Sequence, residues 1–276
     1  MQKQSVKKHI TNLISTLFGK FASYHFPKPI QIFINKTYVF VLKLDLSEFE
    51  QASTYPSLNA LFTRKLKHKR QINSDENIFI SPSDGKISEQ GKIHKGQSFQ
   101  IKGSSYDLKD LLGKHISQEE LLSLENGSFI NIYLSPRDYH RFHTPCDMKV
   151  LKSIHIPGKL YPVNFTYLNK IPSLFCENER VILVCQTQKN QKFYLIFVGA
   201  LNVGKIVFNF DERIQTNAKA GLETLYEYND LELKKGDELG CFQMGSTIVI
   251  LFEDENIQPI QDLENVRFSD VLVAYK

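Results

Sequence analysis

The sequence predicts an α+β fold, in which a predominantly β core of sandwich or barrel type follows amphipathic helices at the N-terminus. Before residue 70, apolar residues recur at helical spacing. From about residue 77 onward, short apolar runs alternate with Gly, Pro, Asn and Asp, a pattern typical of antiparallel strands rather than of βαβ units. We therefore expect a helical segment over residues 1–70 and a β-rich core over residues 71–276.

The first predicted helix lies within residues 1–22. Its apolar residues fall on one helical face: Val6, Ile10, Leu13, Ile14, Leu17, Phe18 and Phe21. Lysines flank this face, and a basic amphipathic helix that carries Phe and Leu is typical of helices that lie in a membrane interface. The alternative is that the same face packs on the rest of the protein.

Two further helices are predicted before the core. After Pro27 and Pro29, apolar residues again follow helical spacing, although their β-branched and aromatic character favours a strand by propensity. Ser57 is a predicted N-cap for a short helix that extends to Leu66. The basic residues 64–70 that follow are either a solvated helix end or a contact with anionic head groups.

Within the core, seven apolar runs predict strands and two predict short helices. The predicted strands are Phe129–Leu134, Val150–His155, Val181–Gln186, Phe193–Val198, Lys205–Phe210, Thr247–Phe252 and Val271–Tyr275. The predicted helices are Leu108–Leu112 and Glu119–Leu124.

Charge and cysteine content exclude several classes of function. The chain of 276 residues has a net charge of +4, but its first acidic residue is Asp45, so the basic excess belongs to the N-terminal segment. This distribution argues against a nucleic-acid-binding core and indicates a local basic surface. The four cysteines form no Cys-x-x-Cys pair, and we expect no metal site. No apolar run approaches the ~18 residues of a membrane-spanning helix.

Three separate segments contain residues that could carry chemistry. Asp84 occupies a predicted turn between two strand-like runs, and His140 and His143 lie in a dense cluster of ionisable residues, where one helical turn would place them on the same face. Ser246 follows Gly245 at the start of an apolar run. Turn formation and packing are the structural alternatives for these residues. As chemistry, Asp84, His143 and Ser246 supply an orienting carboxylate, a base and a nucleophile, although spacing does not show that they meet.

The motifs of this chain resemble, in the same order, those of the pyruvoyl-dependent phosphatidylserine decarboxylase proenzymes in their short bacterial-type form. The likeness extends over nearly the whole chain. The segments that carry it include Phe62–Lys67, Pro82–Gly85, Lys102–Leu108, Tyr133–Pro145, Pro157–Gly158, Asn178–Arg180 and Met244–Thr247, the last with Met where the family has Leu.

The resemblance implies self-cleavage between Gly245 and Ser246 into a β chain, residues 1–245, and an α chain, residues 246–276. In this interpretation Asp84 orients His143, and His143 takes the proton of Ser246, whose residue becomes a pyruvoyl group. That cofactor would form a Schiff base with the amine of phosphatidylserine, and His140 would protonate the carbon that loses carbon dioxide. The product would be phosphatidylethanolamine.

The resemblance also implies a peripheral enzyme on an anionic surface, the cytoplasmic side of the cell membrane, and a homodimer of processed chains. Three alternatives are weighed against this function. A Ser-His-Asp hydrolase would keep Ser246 intact, although the motif Gly-x-Ser-x-Gly is absent. A binding module would explain the turn 236–240 but not the histidine cluster. A decarboxylase of a related serine phospholipid would share the chemistry.

Overall fold

The computed structural model of the chain describes residues 10–93, 98–101, 104–168, 170–201, 205–217, 221–243, 246–253, 257–260 and 264–274. Gly245 and residues 1–9 of the predicted first helix lie outside the described residues. The helices are α1 (Ile10–Ser23), α2 (Lys28–Leu42), α3 (Leu58–Phe62), α4 (Leu108–Leu112), α5 (Gln118–Ser123), α6 (Phe165–Leu168) and α7 (Leu174–Glu177), with a short 3-10 helix at Ala52–Thr54.

The strands confirm a predominantly β core behind N-terminal helices. They are β1 (Ile78–Ile80), β2 (Gly85–Lys92), β3 (Ser98–Ile101), β4 (Ser104–Asp107), β5 (Ser128–Leu134), β6 (Arg141–His143), β7 (Met148–Ile156), β8 (Arg180–Thr187), β9 (Lys192–Gly199), β10 (Ile206–Phe208), β11 (Thr224–Leu233), β12 (Glu238–Phe242), β13 (Ser246–Phe252), β14 (Gln258–Pro259), β15 (Asn265–Val266) and β16 (Val271–Ala274).

The largest element is an eight-stranded antiparallel sheet in the order β11-β7-β8-β9-β13-β5-β2-β15. Two three-stranded sheets, β10-β12-β6 and β1-β16-β14, and the hairpin β3-β4 complete the core. β13 lies between β5 and β9, and all seven of its residues are buried. A strand covered on both faces reads as a continuous apolar run, which explains why this one is recognisable from the sequence.

The two faces of β13 belong to two different hydrophobic clusters. Ile248, Ile250 and Phe252 pack with the aromatic residues of β6 and β12, whereas Val249 and Leu251 pack with α4, α5 and α7. Side chains alternate along a strand, so Ser246 has the same orientation as Ile248. Its hydroxyl therefore faces the small sheet that contains β6.

Aromatic packing holds the small sheet against the large one. The ring centroid of Phe142 on β6 lies 4.4 Å from that of Phe197 on β9, 4.9 Å from that of Phe242 and 5.4 Å from that of Phe208. The separations of 4.9 and 5.4 Å lie within the range of about 4.5–7 Å in which tilted and edge-to-face ring pairs stabilise a core, and the 4.4 Å pair is at its lower limit. The cluster fixes the position of β6. It thereby also positions His140, which immediately precedes the strand, and His143, its last residue.

The N-terminal helices form their own small cluster and contact the core. Ala22, Leu58, Leu61 and Phe62 are its buried residues, and Phe18 packs against them. The side-chain amide of Asn12 donates to the carbonyl of Gly158 at 3.0 Å, which ties α1 to the loop after β7. None of the helices in the part of the chain that the structure describes has the length and apolar character needed to cross a bilayer.

Most predicted elements are confirmed with small shifts of their ends, including the helical choice for α2 and the N-cap, where Ser57 Oγ accepts from the amide of Ala60. The predicted extension of α3 to Leu66 was wrong, because the helix ends at Phe62. The helical turn considered for His140 and His143 was also wrong, since residues 141–143 form β6. The sequence analysis missed β11, whose alternating exposed residues follow from its position at the sheet edge.

Candidate active site

Ser246 is the first residue of β13 and is fully buried. Among the residues that the structure describes, no hydrogen-bond partner lies within reach of its Oγ atom. A hydroxyl that has lost water without gaining a partner costs ~1–3 kcal/mol, so native proteins seldom retain one without a reason. Ser246 is thus a buried hydroxyl at the start of a strand, without a hydrogen-bond partner among the described residues.

Strand register brings Asp84 to the same end of the sheet. Ser246 pairs with Leu134 on β5, and Tyr133 pairs with Lys86 on β2, so Gly85 lies level with Leu134 in the next strand. Asp84 immediately precedes this glycine. Two strand spacings separate β13 from β2, which corresponds to about 10 Å between their backbones.

The carboxylate of Asp84 is bound by Arg70 and by a backbone amide. The two terminal nitrogens of Arg70 donate to the two carboxylate oxygens at 2.5 and 3.1 Å, and the amide of Phe268 donates at 2.7 Å. Arg70 also donates to Glu48 at 2.8 Å and thereby lowers the pKa of that carboxyl group. A two-pronged arginine–carboxylate contact fixes orientation as well as charge, so Arg70 holds Asp84 in one position.

His143 is buried and uses both ring nitrogens. Nδ1 lies 3.0 Å from the carbonyl oxygen of Gly236, and Nε2 lies 3.0 Å from the hydroxyl of Tyr139. Because a carbonyl only accepts, Nδ1 carries the hydrogen and Nε2 accepts from Tyr139. Burial lowers the pKa of His143 to about 4, and its ring stacks on Phe268 with centroids 3.6 Å apart. The imidazole is therefore a neutral base with its lone pair engaged.

The turn that orients His143 depends on a glycine. Gly236 adopts a φ of +84°, a conformation that side chains disfavour. A Cβ atom at this position would also lie 2.9 Å from Cδ1 of Ile72. Glycine thus allows the carbonyl of residue 236 to face the imidazole.

His140 differs from His143 in having a free nitrogen. Its Nδ1 lies 2.8 Å from the carbonyl oxygen of Asp138 and must carry the hydrogen, which leaves a lone pair on Nε2. No partner for this Nε2 atom is found among the described residues. The ring is fully buried, with its centroid 3.9 Å from that of Phe62, and burial lowers the pKa of His140 to about 3.

The structure joins only some of the residues proposed from the sequence. Asp84 and His143 both contact Phe268, one through its amide and one through its ring, but they form no direct hydrogen bond with each other. Ser246 Oγ has no partner within the described ranges, so Asp84, His143 and Ser246 are not connected as a hydrogen-bonded chain in this structure. The role of each residue remains a proposal.

The sequence analysis did not identify three residues that organise this site: Arg70, Tyr139 and Phe268. In the sequence, Arg70 belongs to the basic residues that follow α3, for which a solvated or membrane-facing position is predicted. Only 9% of its side chain is exposed, however. Tyr139 lies in the histidine-rich segment, so its position in the sequence could have identified it as a site residue. Phe268 is separated from Asp84 by 184 residues, and no local pattern marks it.

Comparison with known proteins points to one family. The family model for phosphatidylserine decarboxylase matches residues 58–274. A phosphatidylserine decarboxylase proenzyme of Helicobacter pylori is 45% identical over 95% of this chain and 96% of its own length. A proenzyme of the same name from Campylobacter jejuni is 48% identical over 86% of this chain and 88% of its own length. Another, from Idiomarina loihiensis, is 36% identical over 96% of this chain and 93% of its own length.

The buried histidines predict how stability depends on pH. An unfolded histidine gains a proton below pH 6.5, whereas folded His143 and His140 remain neutral down to about pH 4 and about pH 3. The free energy of unfolding should therefore fall as the pH decreases from 6.5 to about 4, by up to ~1.4 kcal/mol per pH unit for each histidine. Urea unfolding at pH 7, 6 and 5 measures this slope. His140→Gln should reduce it, while His68→Gln, at an exposed position, should not; equal slopes for His140→Gln and wild type would contradict the assignment.

Proposed function

The chain belongs to the phosphatidylserine decarboxylase family, and we propose that it is made as a proenzyme that cleaves itself and then converts phosphatidylserine to phosphatidylethanolamine and carbon dioxide. The observation that carries this proposal is the hydroxyl of Ser246 at the first residue of β13, which is buried and has no hydrogen-bond partner in the described part of the chain. The relatives named above are proenzymes, in keeping with a chain that must be processed before it acts.

In the proposed self-cleavage, Ser246 Oγ attacks the carbonyl carbon of Gly245, and an ester replaces the peptide bond. Elimination then separates residues 1–245 from residues 246–276, and water displaces ammonia to leave a pyruvoyl group on the second chain. His143 would take the hydroxyl proton on Nε2, and Asp84 would support its orientation. In the present structure Tyr139 occupies that nitrogen, so His143 must exchange this hydrogen bond for one from Ser246.

The residues present fit a pyruvoyl group, because the cofactor would be built from Ser246 and the position is enclosed by the core. When formed, such a group supplies an electron sink for the electrons released as carbon dioxide leaves. His140 supplies the proton chemistry. Its Nε2 atom, which has no partner among the described residues, is the nitrogen that would carry the proton to carbon.

The N-terminal helices provide a surface for a lipid substrate. Exposed apolar residues of α1 and α2 are Ile10, Leu13, Ile14, Leu17, Phe21, Ile30, Phe33, Phe40 and Val41. These helices carry no acidic residue, and lysines accompany the apolar face. We propose that residues 1–70 attach the enzyme peripherally to the anionic, cytoplasmic face of the cell membrane. A homodimer of processed chains, which the family resemblance implies, is part of the same proposal.

Processing is the first test. Intact-mass analysis of the purified protein should find chains 1–245 and 246–276, the second with a blocked N-terminus. Ser246→Ala should remain one chain without decarboxylase activity, because no hydroxyl is left to attack. Ser153→Ala, a matched change of a buried serine on β7, should be processed normally. An uncleaved wild-type chain that decarboxylates the lipid would contradict the proposal, and a preference for another serine phospholipid would redefine the substrate.

The two histidines should affect different steps. His143→Ala should stay full-length on a gel, since Ser246 without its base is a weak nucleophile. His140→Ala should still be cleaved but lose decarboxylation by ~10²–10⁴-fold, the usual contribution of a positioned acid or base. His68→Ala, at an exposed position, is the control for both assays. Cleavage lost in His140→Ala but retained in His143→Ala would reverse the two roles.

Membrane attachment depends on the exposed face of α1. Leu17→Glu combined with Phe21→Glu should abolish flotation with vesicles that contain phosphatidylserine, while self-cleavage continues in the core. Phe18 is unsuitable for this test because it packs inside the helical cluster. The control is Leu122→Glu on α5, which also replaces an exposed leucine. Binding of wild type should weaken as salt increases; failure of wild type to bind at low salt would indicate that these helices serve packing alone.

A further inference from the structure

A cleft with a volume of about 810 Å³ lies between the N-terminal helical part and the end of the large sheet where β13 begins. Its walls include Lys43 after α2, Arg64 after α3, Asp84, and the segment from Ser135 to Tyr139. Its lining thus extends from Lys43, the residue that follows α2, to Ser135, which follows the β5 residue paired with Ser246. The basic residues of this cleft have no role in the self-cleavage and decarboxylation steps proposed above.

Arg64 is the unusual residue in this wall. It is only 2% exposed, yet its guanidinium is incompletely bound. One terminal nitrogen donates to the carbonyls of Arg137 and Asp138 at 2.7 and 3.1 Å, while Nε and the other terminal nitrogen have no hydrogen-bond partner among the described residues. Burial lowers the pKa of Arg64, as expected for a desolvated cation without a matching anion. Buried donors of a charged group are costly to leave unpaired, and a bound anion would satisfy them.

The spare donors of Arg64 are close to the reaction centre. The carbonyl oxygen of Asp138 accepts from Arg64 at 3.1 Å and from Nδ1 of His140 at 2.8 Å, so these two nitrogens lie within about 6 Å of each other. Ser135 follows Leu134, the residue that pairs with Ser246 in the sheet. Its Oγ atom is buried and also lacks a partner within the described ranges.

The charges around the cleft favour an anion beside Arg64. Most acidic groups in the walls are already bound: Asp84 and Glu48 by Arg70, and Asp138 by the amide of Ser135. Exposed Lys43 and Arg137 add positive charge at the rim. Nε and Nη1 of Arg64, which have no partner among the described residues, can donate to the oxygens of a phosphate group, whose negative charge matches the guanidinium.

We propose that Arg64, assisted by Ser135, binds the phosphodiester of the phospholipid head group. The inference rests on the proposed function, and it adds the group by which the enzyme would hold its substrate. The head group is only a few bonds long from phosphorus to amine, so anchoring the phosphate at Arg64 brings the amine to the vicinity of His140 and Ser246.

Kinetics on a soluble substrate test this assignment. Arg64→Gln should raise KM for monomeric dihexanoyl phosphatidylserine by about 10-fold to 100-fold, the loss expected for a charge-assisted hydrogen bond, with a much smaller change in kcat. Arg64→Lys keeps the charge but not the planar guanidinium donors. Its KM should lie between those of wild type and Arg64→Gln. Arg213→Gln is the control, because this exposed arginine is already paired with Asp211. Self-cleavage and circular dichroism report whether each variant is folded; if Arg64→Gln does not fold, Ser135→Ala should still raise KM.

Calorimetry separates this inference from the proposed function, since it requires no turnover. Glycerophosphoethanolamine should bind wild type and should bind Arg64→Gln at least about 10-fold more weakly, whereas ethanolamine should not distinguish them. Unchanged binding or KM in a folded Arg64→Gln protein would overturn the assignment. Arg64-dependent binding of inorganic phosphate without binding of the diester would also overturn it, because it would identify free phosphate as the ligand. If the wild-type protein binds the diester through Arg64 but does not decarboxylate the lipid, only the proposed function is overturned.

Discussion

Ser246 begins a strand in which every residue is buried, so its hydroxyl group has lost water without gaining a partner among the described residues. This desolvation requires β13 to be covered on both faces, by the aromatic cluster on one side and by α4, α5 and α7 on the other. In the proposed self-cleavage, the hydroxyl of Ser246 would have no hydrogen bond of its own to a described residue to break before it attacks. The sheet that surrounds β13 is therefore the support on which the proposed self-cleavage depends.

The same burial determines the state of the two histidines. Phe142 anchors β6 between them, and desolvation keeps both rings neutral at physiological pH. Their hydrogen bonds nevertheless differ, since Tyr139 donates to Nε2 of His143 while Nε2 of His140 has no partner among the described residues. This difference in contact within one short segment is consistent with the proposal that the two neighbouring histidines serve two separate steps.

Arginine residues connect this centre to the N-terminal helical part. Arg70 binds Asp84 and Glu48 together, and Arg64 binds the carbonyl of Asp138, which also orients His140. Both follow α3, whose neighbours in space are α1 and α2. A single short segment therefore links the proposed membrane surface, the proposed phosphate site and the proposed catalytic groups, which is an economical arrangement for an enzyme whose substrate lies in a bilayer.

The sequence alone determined the α+β class, the buried strand β13, the helices of the N-terminal part, the family and the identity of the candidate residues Asp84, His140, His143 and Ser246. These features depend on local periodicity and on motifs, which are properties of neighbouring residues. Only the tertiary structure decided that Arg70 rather than His143 binds Asp84, that Phe268 lies between them, and that Arg64 is buried with spare donors. Those contacts join residues far apart in the chain, and their free energies depend on burial, which no local pattern encodes.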